Sequence, residues 1–476
     1  MYKRLVFFNP IRDLFLACVF LLQPAVAQNF STSIEKIQPA ETKSSVQPKL
    51  SLELKSLNYA AGSVADDASQ GQVELMLGLK KQGFLFADLE LTVGSFSGSR
   101  SVYIPVPDAY LAVGSLKSNY LALGIKTQSF SFVDRYYHLG LYESYFTNDF
   151  IDYKEQGFAG IQLQVHQGYF GFKGGFQPVF LKNQGPEIHE QDGSIVSSNR
   201  WAKRPPKRFE FVQGQDKRIE YVIRAYDVEK IITNQGHTLS LFVGENVERP
   251  WLQVSYARHP LNEIPLTRET YGTINDFTGH VFLAPVVTYH EVKSADINLD
   301  GRLLKSTFSY LEDQPFNNEP FMDETLQVLN PLKVYAVYFA LDLKDYISRN
   351  FLISLAAAEM RGGEIKDKMQ GGKVSIFTFS ANRTIFKSPV TLGFTGDSIF
   401  FGERPLITTV SWTYDREFKG SLLSAKLMHE TWKKLYLQAG LDLLGTENEL
   451  PADAPENFLS QNQANDRFYA GVKYVF

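Results

Sequence analysis

The sequence has almost no cysteine, since Cys18 is the only one in its 476 residues. An intramolecular disulfide and a cysteine-based zinc site are therefore excluded. After residue 30 there is no run of about 18 apolar residues, which is the length that a membrane-spanning helix needs. An excess of charge of one sign is also lacking, because the net charge is −4, and no nucleic acid partner is expected.

Aromatic residues, by contrast, are abundant. Phe, Tyr and Trp together make up 14% of the chain, and the hydrophobic residues make up 44%. A chain of this composition has enough apolar surface to fold, so intrinsic disorder is excluded.

The first 27 residues have the organisation of a secretory signal peptide. Lys3 and Arg4 give a basic start, residues 14–22 form a short apolar stretch, and Ala25-Val26-Ala27 supplies a small-x-small cleavage pattern. Cys18 lies within this segment, so the exported chain would hold no thiol at all, which suits an oxidising compartment.

The sequence beyond the signal peptide divides at about residue 48. Residues 28–48 are polar and show no apolar period, which indicates a flexible periplasmic lead-in. The sequence therefore predicts three parts: a signal peptide at 1–27, the lead-in at 28–48 and one large domain at 49–476.

Alternation with a period of two runs through that domain. In 434–443 the residues Leu435, Leu437, Ala439, Leu441 and Leu443 alternate with polar or small ones. Such alternation predicts a strand with one apolar face and one wet face. The same pattern recurs in many segments, including 84–93, 121–128, 159–166, 218–225, 280–299 and 372–381.

These strand-like segments are about ten residues long, which is the length that a tilted strand needs to cross the hydrocarbon layer. Charged residues recur on the polar face, and a water-filled lumen accommodates them whereas a sandwich core does not. Unpaired backbone groups in lipid cost several kcal/mol each, so the sheet has to close on itself. The fold class predicted is all-β: a closed antiparallel transmembrane β-barrel with its apolar face outward.

The connections support a barrel in the first half of the chain. Short links near 82, 117 and 167 alternate with long ones at 59–71, 97–105, 129–156 and 178–206. Transmembrane barrels have short periplasmic turns and long external loops. About twenty candidate strands can be counted, and we predict 18, with 16 to 22 remaining open.

The end of the chain is the most specific signal. Phe468, Ala470, Val472, Tyr474 and Phe476 share one face of a final strand that ends on an aromatic residue. This strand resembles the C-terminal strand of bacterial outer-membrane barrels, which the barrel-assembly machinery recognises by its terminal aromatic. The resemblance implies that Tyr474 and Phe476 are an assembly signal, that the protein is located in the outer membrane of a Gram-negative cell, and that lipid and lipopolysaccharide surround it.

A second resemblance lies earlier in the chain. Asp108-Ala109-Tyr110-Leu111, followed by a strand from Tyr120 to Lys126, is similar to a strand pair of several porin families. It covers about 25 residues, and no narrower family is identified. Porins with 16 or 18 strands are commonly trimers, so the resemblance also implies a possible homotrimer.

A barrel of 16 to 18 strands leaves an aqueous channel. Only residues 28–48 precede the strands, which is too little for a plug domain. The expected function is passive diffusion of small hydrophilic solutes through a porin-like channel, with no cofactor and no metal.

The narrowest point of such a channel sets its selectivity. Porins often fold their third external loop into the lumen, and 129–156 is the third external loop here. The candidate constriction residues are charged or aromatic residues of this loop together with charged residues on inward strand faces: Glu90, Lys126, Asp134, Arg135, Tyr136, His138, Arg218, Glu220 and Arg224. Their mixed signs predict no strong ion selectivity. Packing of the loop on the barrel rim remains an equal alternative.

A basic cluster around Pro205-Pro206 forms a second candidate site. It can attract anionic solutes or bridge lipopolysaccharide phosphates, and a solvated loop is the alternative. Its members are Arg200, Lys203, Arg204, Lys207 and Arg208.

Enzymatic and metal-binding interpretations are weaker. Gly396-Asp397-Ser398 resembles the start of a GDS-type esterase motif, but no Asp stands three residues before His429, the only later histidine. The run from Asp296 to Gly301 matches half of a calcium loop without its last ligand, and a tight strand turn explains it better. No catalytic residue is therefore assigned, and the main alternative to a channel is a loop-plugged adhesin or receptor, with a barrel hydrolase behind it.

Overall fold

The strands form one ring in the computed structural model of the chain. The structure describes residues 46–60, 69–81, 85–97, 102–115, 118–202, 205, 207–212, 215–225, 227–272, 278–319, 324–347, 350–369, 380–400, 404–447 and 457–476. The predicted signal peptide and most of the lead-in lie outside these residues. The first strand begins at Val46, three residues before the predicted start of the barrel domain.

Eighteen antiparallel strands in the described part of the chain pair in sequence order, and the last pairs with the first. They are β1 (Val46–Tyr59), β2 (Ser69–Lys81), β3 (Leu85–Phe96), β4 (Asp108–Gly114), β5 (Tyr120–Lys126), β6 (Phe158–Gln167), β7 (Phe170–Gln177), β8 (Gly236–Val243), β9 (Leu252–Pro260), β10 (Tyr289–Asp300), β11 (Leu304–Phe316), β12 (Leu332–Asp342), β13 (Phe351–Gly362), β14 (Pro389–Phe400), β15 (Arg404–Asp415), β16 (Gly420–Trp432), β17 (Leu435–Thr446) and β18 (Arg467–Val475). The prediction of a closed barrel of 18 strands is confirmed.

Closure joins the two ends of the barrel sequence. Leu54 of β1 faces Val472 of β18, and the backbone N–H of Phe476 donates to the carbonyl of Leu50 at 2.9 Å. The edges of the sheet are thereby paired, as the hydrocarbon layer requires. At the level of the fold, the expectation of a closed, porin-like barrel is confirmed.

The two faces of the wall differ as the alternation predicts. Leucines at outward positions are exposed, such as Leu123 at 64% and Leu437 at 47%. Their neighbours Gln438 and Gln162 point inward and are 4% and 1% exposed. The apolar face therefore meets lipid, and the polar face lines the lumen.

Exposed aromatic side chains lie near both ends of the strands. One group is Tyr169, Phe170, Trp251, Trp432, Tyr474 and Phe476, and the other includes Phe176, Phe316, Tyr335, Trp412 and Phe468. Aromatic girdles at both membrane interfaces are a feature of transmembrane barrels. The outer surface therefore has the banding of a membrane-spanning wall.

The connections are short at one end and long at the other, except for the four-residue connection 416–419 at the long end. The short links include 168–169, 301–303 and 433–434, and the long ones include 127–157, 178–235 and 261–288. By the usual rule the short end is periplasmic. The hairpin predicted at Asp300-Gly301 is confirmed, since the Gly301 N–H donates to the Leu304 carbonyl at 2.8 Å.

The described helices are all short. They are α1 (Phe132–Tyr136), α2 (Val228–Ile232), α3 (Lys344–Ile347) and α4 (Phe458–Gln461), with a single 3₁₀ turn at Gln463–Asn465. Within the described ranges, no helix has the length and apolar character needed to cross a membrane.

Four of the external loops build a second sheet of seven strands. In sheet order these are Arg208–Val212, Gln215–Ile223, Gly279–Pro285, Leu266–Gly272, Glu324–Leu329, Glu364–Met369 and Ser380–Asn382. Three smaller pieces complete the loops: Val102–Tyr103 beside β3, Tyr145–Phe146 paired with Lys154–Glu155, and His189–Gln191 paired with Ser194–Val196.

This loop sheet corrects three strand assignments made from sequence. The segment 218–225 forms a strand, but it pairs with other loop strands and not with the barrel wall. The run 280–299 is two strands, one in each sheet. Of 372–381, only the end belongs to the described residues, and it also pairs in the loop sheet.

Candidate functional site

The third external loop, residues 127–157 and called L3 from here on, folds against the inner wall of the barrel. The amide of Gln253 donates to the carbonyl of Ser129 at 3.1 Å. The hydroxyls of Ser255 and Ser294 both donate to the carbonyl of Phe130, at 2.6 and 3.2 Å. Since these three donors lie on the inward faces of β9 and β10, the start of L3 is inside the lumen.

An apolar patch on the inner wall receives this part of the loop. From L3 come Phe130, Val133, Tyr137, Leu141 and Tyr142, and from the wall of β9 to β13 come Ala257, Val292, Leu311, Val334, Ala336, Ala358 and Met360. Val133 and Val292 are 0% exposed. Apolar side chains on the wet face of a barrel are covered only if a loop packs on them, and each one buried contributes about 1.5–3 kcal/mol.

Helix α1 is fixed at its first turn by a carboxylate of the wall. The backbone N–H of Phe132 donates to Asp296 Oδ2 at 2.8 Å. The hydroxyl of Ser309 donates to the other oxygen of the same carboxylate. An oxygen acceptor at a helix start satisfies one of the backbone donors that have no partner within the helix. Asp296 therefore positions the loop.

Asp134 holds the turn that follows α1. Its two carboxylate oxygens accept from the N–H groups of Leu141 and Tyr142 at 2.9 and 3.1 Å, and the residue is 4% exposed. Burial raises the pKa of Asp134 to about 6, against the opposing effect of the two N–H donors. The assignment of Asp134 as a pore-lining residue is corrected, because its side chain is enclosed within the loop.

The second half of L3 reaches the opposite side of the ring. Lys154 pairs with Glu74 of β2, and Asp152 accepts from Lys55 of β1 at 2.9 Å. Asp149 pairs with Arg467 of β18. In a ring of eighteen strands β1 lies opposite β10, so the ion pairs and the α1 contacts attach L3 at two distant parts of the wall. The loop therefore crosses the lumen.

Aromatic packing reinforces the second attachment. The ring of Phe146 stacks on Tyr103 at 4.9 Å, and Tyr103 lies against Phe96 at 5.3 Å. The Tyr103 hydroxyl donates to Glu74 Oε1 at 2.7 Å, which is the carboxylate that Lys154 also reaches. Apolar and ionic contacts thus fix the same hairpin of the loop.

Charged groups remain open to water along L3. Arg135 is 58% exposed and donates to Glu155 through two parallel bonds at 2.8 and 3.0 Å. The side chain of Asp152 is 45% exposed. Lys426 lies on the inward face of β16 and its charge acts on Asp152. The loop thus presents both signs of charge to the remaining passage.

The remaining L3 candidates differ in position. Tyr136 is half-buried and packs against Phe132 at 5.4 Å and Tyr338 of β12 at 5.5 Å. The ring of His138 lies between Tyr145 and Tyr153, and its buried Nδ1 atom has no hydrogen-bond partner among the described residues. Burial and the nearby Arg135 lower the pKa of His138 to about 3, so its imidazole is neutral at physiological pH.

Two candidates on the wall lie on the inward face, as the alternation indicated. Glu90 is on β3, directly across from Asp108 of β4. Lys126 of β5 lies over the ring of Tyr110 at 5.0 Å and over that of Tyr120 at 5.7 Å. Both side chains are partly exposed to the lumen.

The other three wall candidates are not in the barrel wall. Arg218 and Glu220 pair with each other in the loop sheet, and Glu220 also faces His280 at 3.4 Å. Arg224 follows the strand Gln215–Ile223 and pairs with Glu269. Their assignment to an inward barrel face is wrong, because the strand that carries them belongs to an external loop.

The basic cluster is divided by the structure. Arg200 donates to Asn465 Oδ1 at 3.1 Å and to the Ala464 carbonyl at 2.8 Å, and it covers the ring of Tyr59 at 4.1 Å. It therefore joins two external loops and does not extend toward solvent. Lys203 and Arg204 lie outside the described residues, while Lys207 and Arg208 are exposed.

The terminal aromatics lie on the outward face at the periplasmic end. Phe476 packs edge-to-face on Tyr474 at 4.8 Å, and the two are 54% and 39% exposed. Their role as an assembly signal stays a prediction.

The motifs considered for chemistry lie within the wall. Gly396-Asp397-Ser398 is part of β14, and Asp397 accepts from Asn350 Nδ2 at 2.7 Å. The carboxylate of Asp296 already accepts hydrogen bonds from the first residue of α1 and from Ser309. Among the described residues, no group of three or more His, Cys, Asp or Glu residues is placed to hold a metal ion.

Sequence reasoning missed the residues that attach L3 to the wall, above all Asp296, Asp149 and Arg467. One signal was available. Val292, Leu311 and Val334 are apolar residues at inward positions, where the alternation requires polar ones. An apolar group on the wet face indicates that something covers it.

Comparison with known proteins gives similarity of overall form only. No family model and no curated protein matches the sequence. Among solved structures, OccK5 (OpdH) of Pseudomonas aeruginosa is 11% identical with a TM-score of 0.44, over 90% of this chain and 98% of that one. OccAB4 of Acinetobacter baumannii is 11% identical with a TM-score of 0.43, over 92% and 99%. A mutant of the Rh. blastica porin is 8% identical with a TM-score of 0.36, over 91% and 100%. The fold of this chain is established by its own strand pairing.

Proposed function

We propose that the protein is an outer-membrane channel for passive diffusion of small hydrophilic solutes, and that L3 sets the width of the passage. The observation that supports this proposal most directly is the attachment of L3 at two distant parts of the inner wall. An eighteen-stranded ring is wide enough for water, and a loop fixed across it narrows the opening without adding a separate domain.

The residues proposed to face the solute are those that remain open to the lumen. They are Arg135, Tyr136 and Asp152 on L3, with Glu90, Lys126 and Lys426 on the wall. Both signs of charge are present, so weak ion selectivity is the proposed behaviour. Outer-membrane lipid and lipopolysaccharide, the barrel-assembly machinery and a possible homotrimer are the proposed surroundings and partners.

Conductance of single molecules tests this proposal. Purified protein added to planar bilayers is expected to give discrete current steps in potassium chloride. Since residues 19–476 contain no cysteine, a cysteine introduced there and treated with a charged thiol reagent reports one position. Arg135→Cys is expected to lose conductance on modification, because the reagent enters the narrow region beside L3.

Leu355→Cys is the matched control, since Leu355 is 48% exposed on the outward face of β13. Its modification is expected to leave the current unchanged. Silent bilayers with correctly folded protein would contradict the channel and favour a loop-sealed receptor or adhesin. Equal responses of the two cysteines would contradict the placement of Arg135 at the passage.

A further inference from the structure

A depression crosses the outer surface of the barrel where its two ends join. Leu427 of β16, Ala439 of β17, Ala470 of β18 and Ser56 of β1 are neighbours in one outward-facing row across the strands. Three successive members of that row are small. With strands about 4.8 Å apart, three small residues leave a hollow roughly 10–14 Å wide.

Larger side chains border this hollow on both sides. Toward the periplasm the neighbouring row holds Leu437, Val472 and Leu54, and toward the outside it holds Leu441 and Phe468. The resulting groove, called the seam groove from here on, has a volume of about 730 Å³ and is lined mainly by apolar atoms.

Basic residues lie at the periplasmic end of the same strands. Lys433 and Lys434 form the turn between β16 and β17, and both are exposed. Trp432 beside them is 72% exposed on the outward face, as expected of a residue at the membrane interface. An anionic headgroup at this level meets two positive charges and an aromatic ring.

The distance between the lysines and the groove matches half a bilayer. Leu427 lies six residues before Lys433, which at about 3.3 Å per residue and a tilt of about 40° is roughly 15 Å along the membrane normal. The hydrocarbon layer is about 30 Å thick, so a chain that starts at the interface ends near its middle. A tail anchored at Lys433 therefore reaches the hollow formed by Ala439 and Ala470.

A polar side chain lies between these two levels. His429 faces outward from β16 and lines the seam groove, with Nδ1 3.3 Å from the carbonyl of Pro405. This contact gives one polar atom of the imidazole a partner within the hydrocarbon layer.

We propose that the seam groove binds one acyl chain of an anionic phospholipid of the periplasmic leaflet, with the phosphate held by Lys433 and Lys434. The small residues form the hollow, the leucines border the tail, and the lysines select the charge. The site needs only the barrel in its membrane and is independent of conduction through the lumen.

Native mass spectrometry in a mild detergent tests the proposal, with dioleoylphosphatidylglycerol as the probe and dioleoylphosphatidylcholine as the neutral comparator. The wild-type chain is expected to retain the anionic lipid preferentially. The double variant Lys433→Gln, Lys434→Gln is expected to bind it about 25-fold more weakly, since each basic residue near the surface contributes roughly fivefold. Ala439→Leu is expected to weaken the binding of both lipids, because the larger side chain fills the hollow.

Matched controls lie four strands from β17, about a quarter of the way around the ring. Lys344→Gln removes an exposed charge from the periplasmic connection between β12 and β13, and Ala357→Leu enlarges an outward alanine of β13. Both are expected to bind lipid as the wild type does. Circular dichroism of each variant confirms that the barrel is folded.

Two results would overturn the proposal. In the first, folded Ala439→Leu and the folded double lysine variant bind lipid as strongly as the control variants do. The other is a wild-type dimer or trimer that dissociates in Ala439→Leu, which would show that a second copy of the chain occupies the seam groove.

Discussion

Asp134 shows how much the role of one residue depends on what surrounds it. From sequence it is a charged group in a loop expected to line the pore. In the structure its carboxylate is enclosed and accepts from two backbone N–H groups of its own loop. The same side chain that would set selectivity if exposed instead fixes the shape of the constriction.

The raised pKa of Asp134 gives a pH prediction with a definite sign. Its pKa is about 6 in the folded protein, against an ordinary value of 3.8. Between those values the folded state holds a proton that the unfolded state lacks, so this group stabilises the fold most at low pH and least above about 6. Relative to Asp134→Asn, the wild type should therefore lose about 2 kcal/mol of unfolding free energy between pH 4 and pH 7.

Guanidinium unfolding of both proteins in lipid vesicles at several pH values measures this difference. Titrating groups distant from residue 134 are common to the two proteins and cancel in the comparison. If the difference in unfolding free energy between wild type and Asp134→Asn stays constant from pH 4 to pH 7, the carboxylate is not buried as described.

Residues on the wall were more predictable than residues in the loop. Glu90 and Lys126 lie on the inward face because the side chains of a strand alternate, and their leucine neighbours fixed which face is outward. No such period constrains residues 130–156. The partners of L3 also come from strands far away in sequence, such as β10 and β18, so the pairs Phe132 with Asp296 and Asp149 with Arg467 had no local signal.

Among the elements, the segments 218–225 and 372–381, whose described residues pair in the loop sheet, explain why alternation alone predicts about twenty strands. Alternation reports that a strand has one dry face and one wet face, and it does not report which sheet the strand joins. The strand Gln215–Ile223 buries Ile219 and Tyr221 in a cluster with Val281 and Leu283 of another loop. A strand of the loop sheet, which has a core of its own, therefore shows the same alternation in sequence as a strand of the barrel.

L3 acts as one element because both of its halves are attached, and its tip offers a clean test of the constriction. Tyr145–Phe146 pairs with Lys154–Glu155 in an antiparallel hairpin, so residues 147–153 can be replaced by Asn-Gly, a sequence suited to a two-residue turn. The change removes Asp149 and Asp152 while the α1 attachment remains. Single-channel conductance is expected to rise about twofold or more, because the far side of the passage opens.

An Asn-Gly turn elsewhere in the external loops serves as the control for this shortening. Asp192 and Gly193 both have positive φ, at 52° and 70°, in the turn between His189–Gln191 and Ser194–Val196. Asp192→Asn gives that turn the same sequence without touching L3, and its conductance is expected to equal that of the wild type. Unchanged conductance in the folded L3 variant would contradict the assignment of the loop tip to the narrow point.

For the whole molecule, closure of the ring was predictable from the sequence, but the packing of L3 on its inner wall was not. Strand length, alternation and the membrane's intolerance of unpaired backbone lead directly to a closed sheet. Apolar inward residues break the alternation at one position in β10 (Val292), at one in β11 (Leu311) and at three in β12 (Leu332, Val334 and Ala336). A single exception of that kind in one strand carries little weight, and only the ring of strands brings the exceptions together into one patch.

Phe476 affects the whole barrel, because it lies where the first and last strands pair. Phe476 donates its N–H to Leu50 of β1 and packs on Tyr474 of β18. Its removal costs one hydrogen bond and one aromatic contact, about 1–2 kcal/mol together, which is roughly a tenfold change in an equilibrium. Deletion of Phe476 is expected to lower the amount of folded protein in the outer membrane several-fold, since losses of this size change abundance through degradation of the unfolded chain, and Phe476→Tyr is expected to retain it.

Refolding of the same variants in detergent separates the two roles of this aromatic. If the assembly machinery recognises Phe476, the deletion should reduce assembly in cells much more than refolding in detergent. An equal loss in both would show that Phe476 acts through strand pairing alone. Wild-type amounts in cells would contradict both roles, since neither closure at Leu50 nor recognition of the terminal ring would then depend on the final residue.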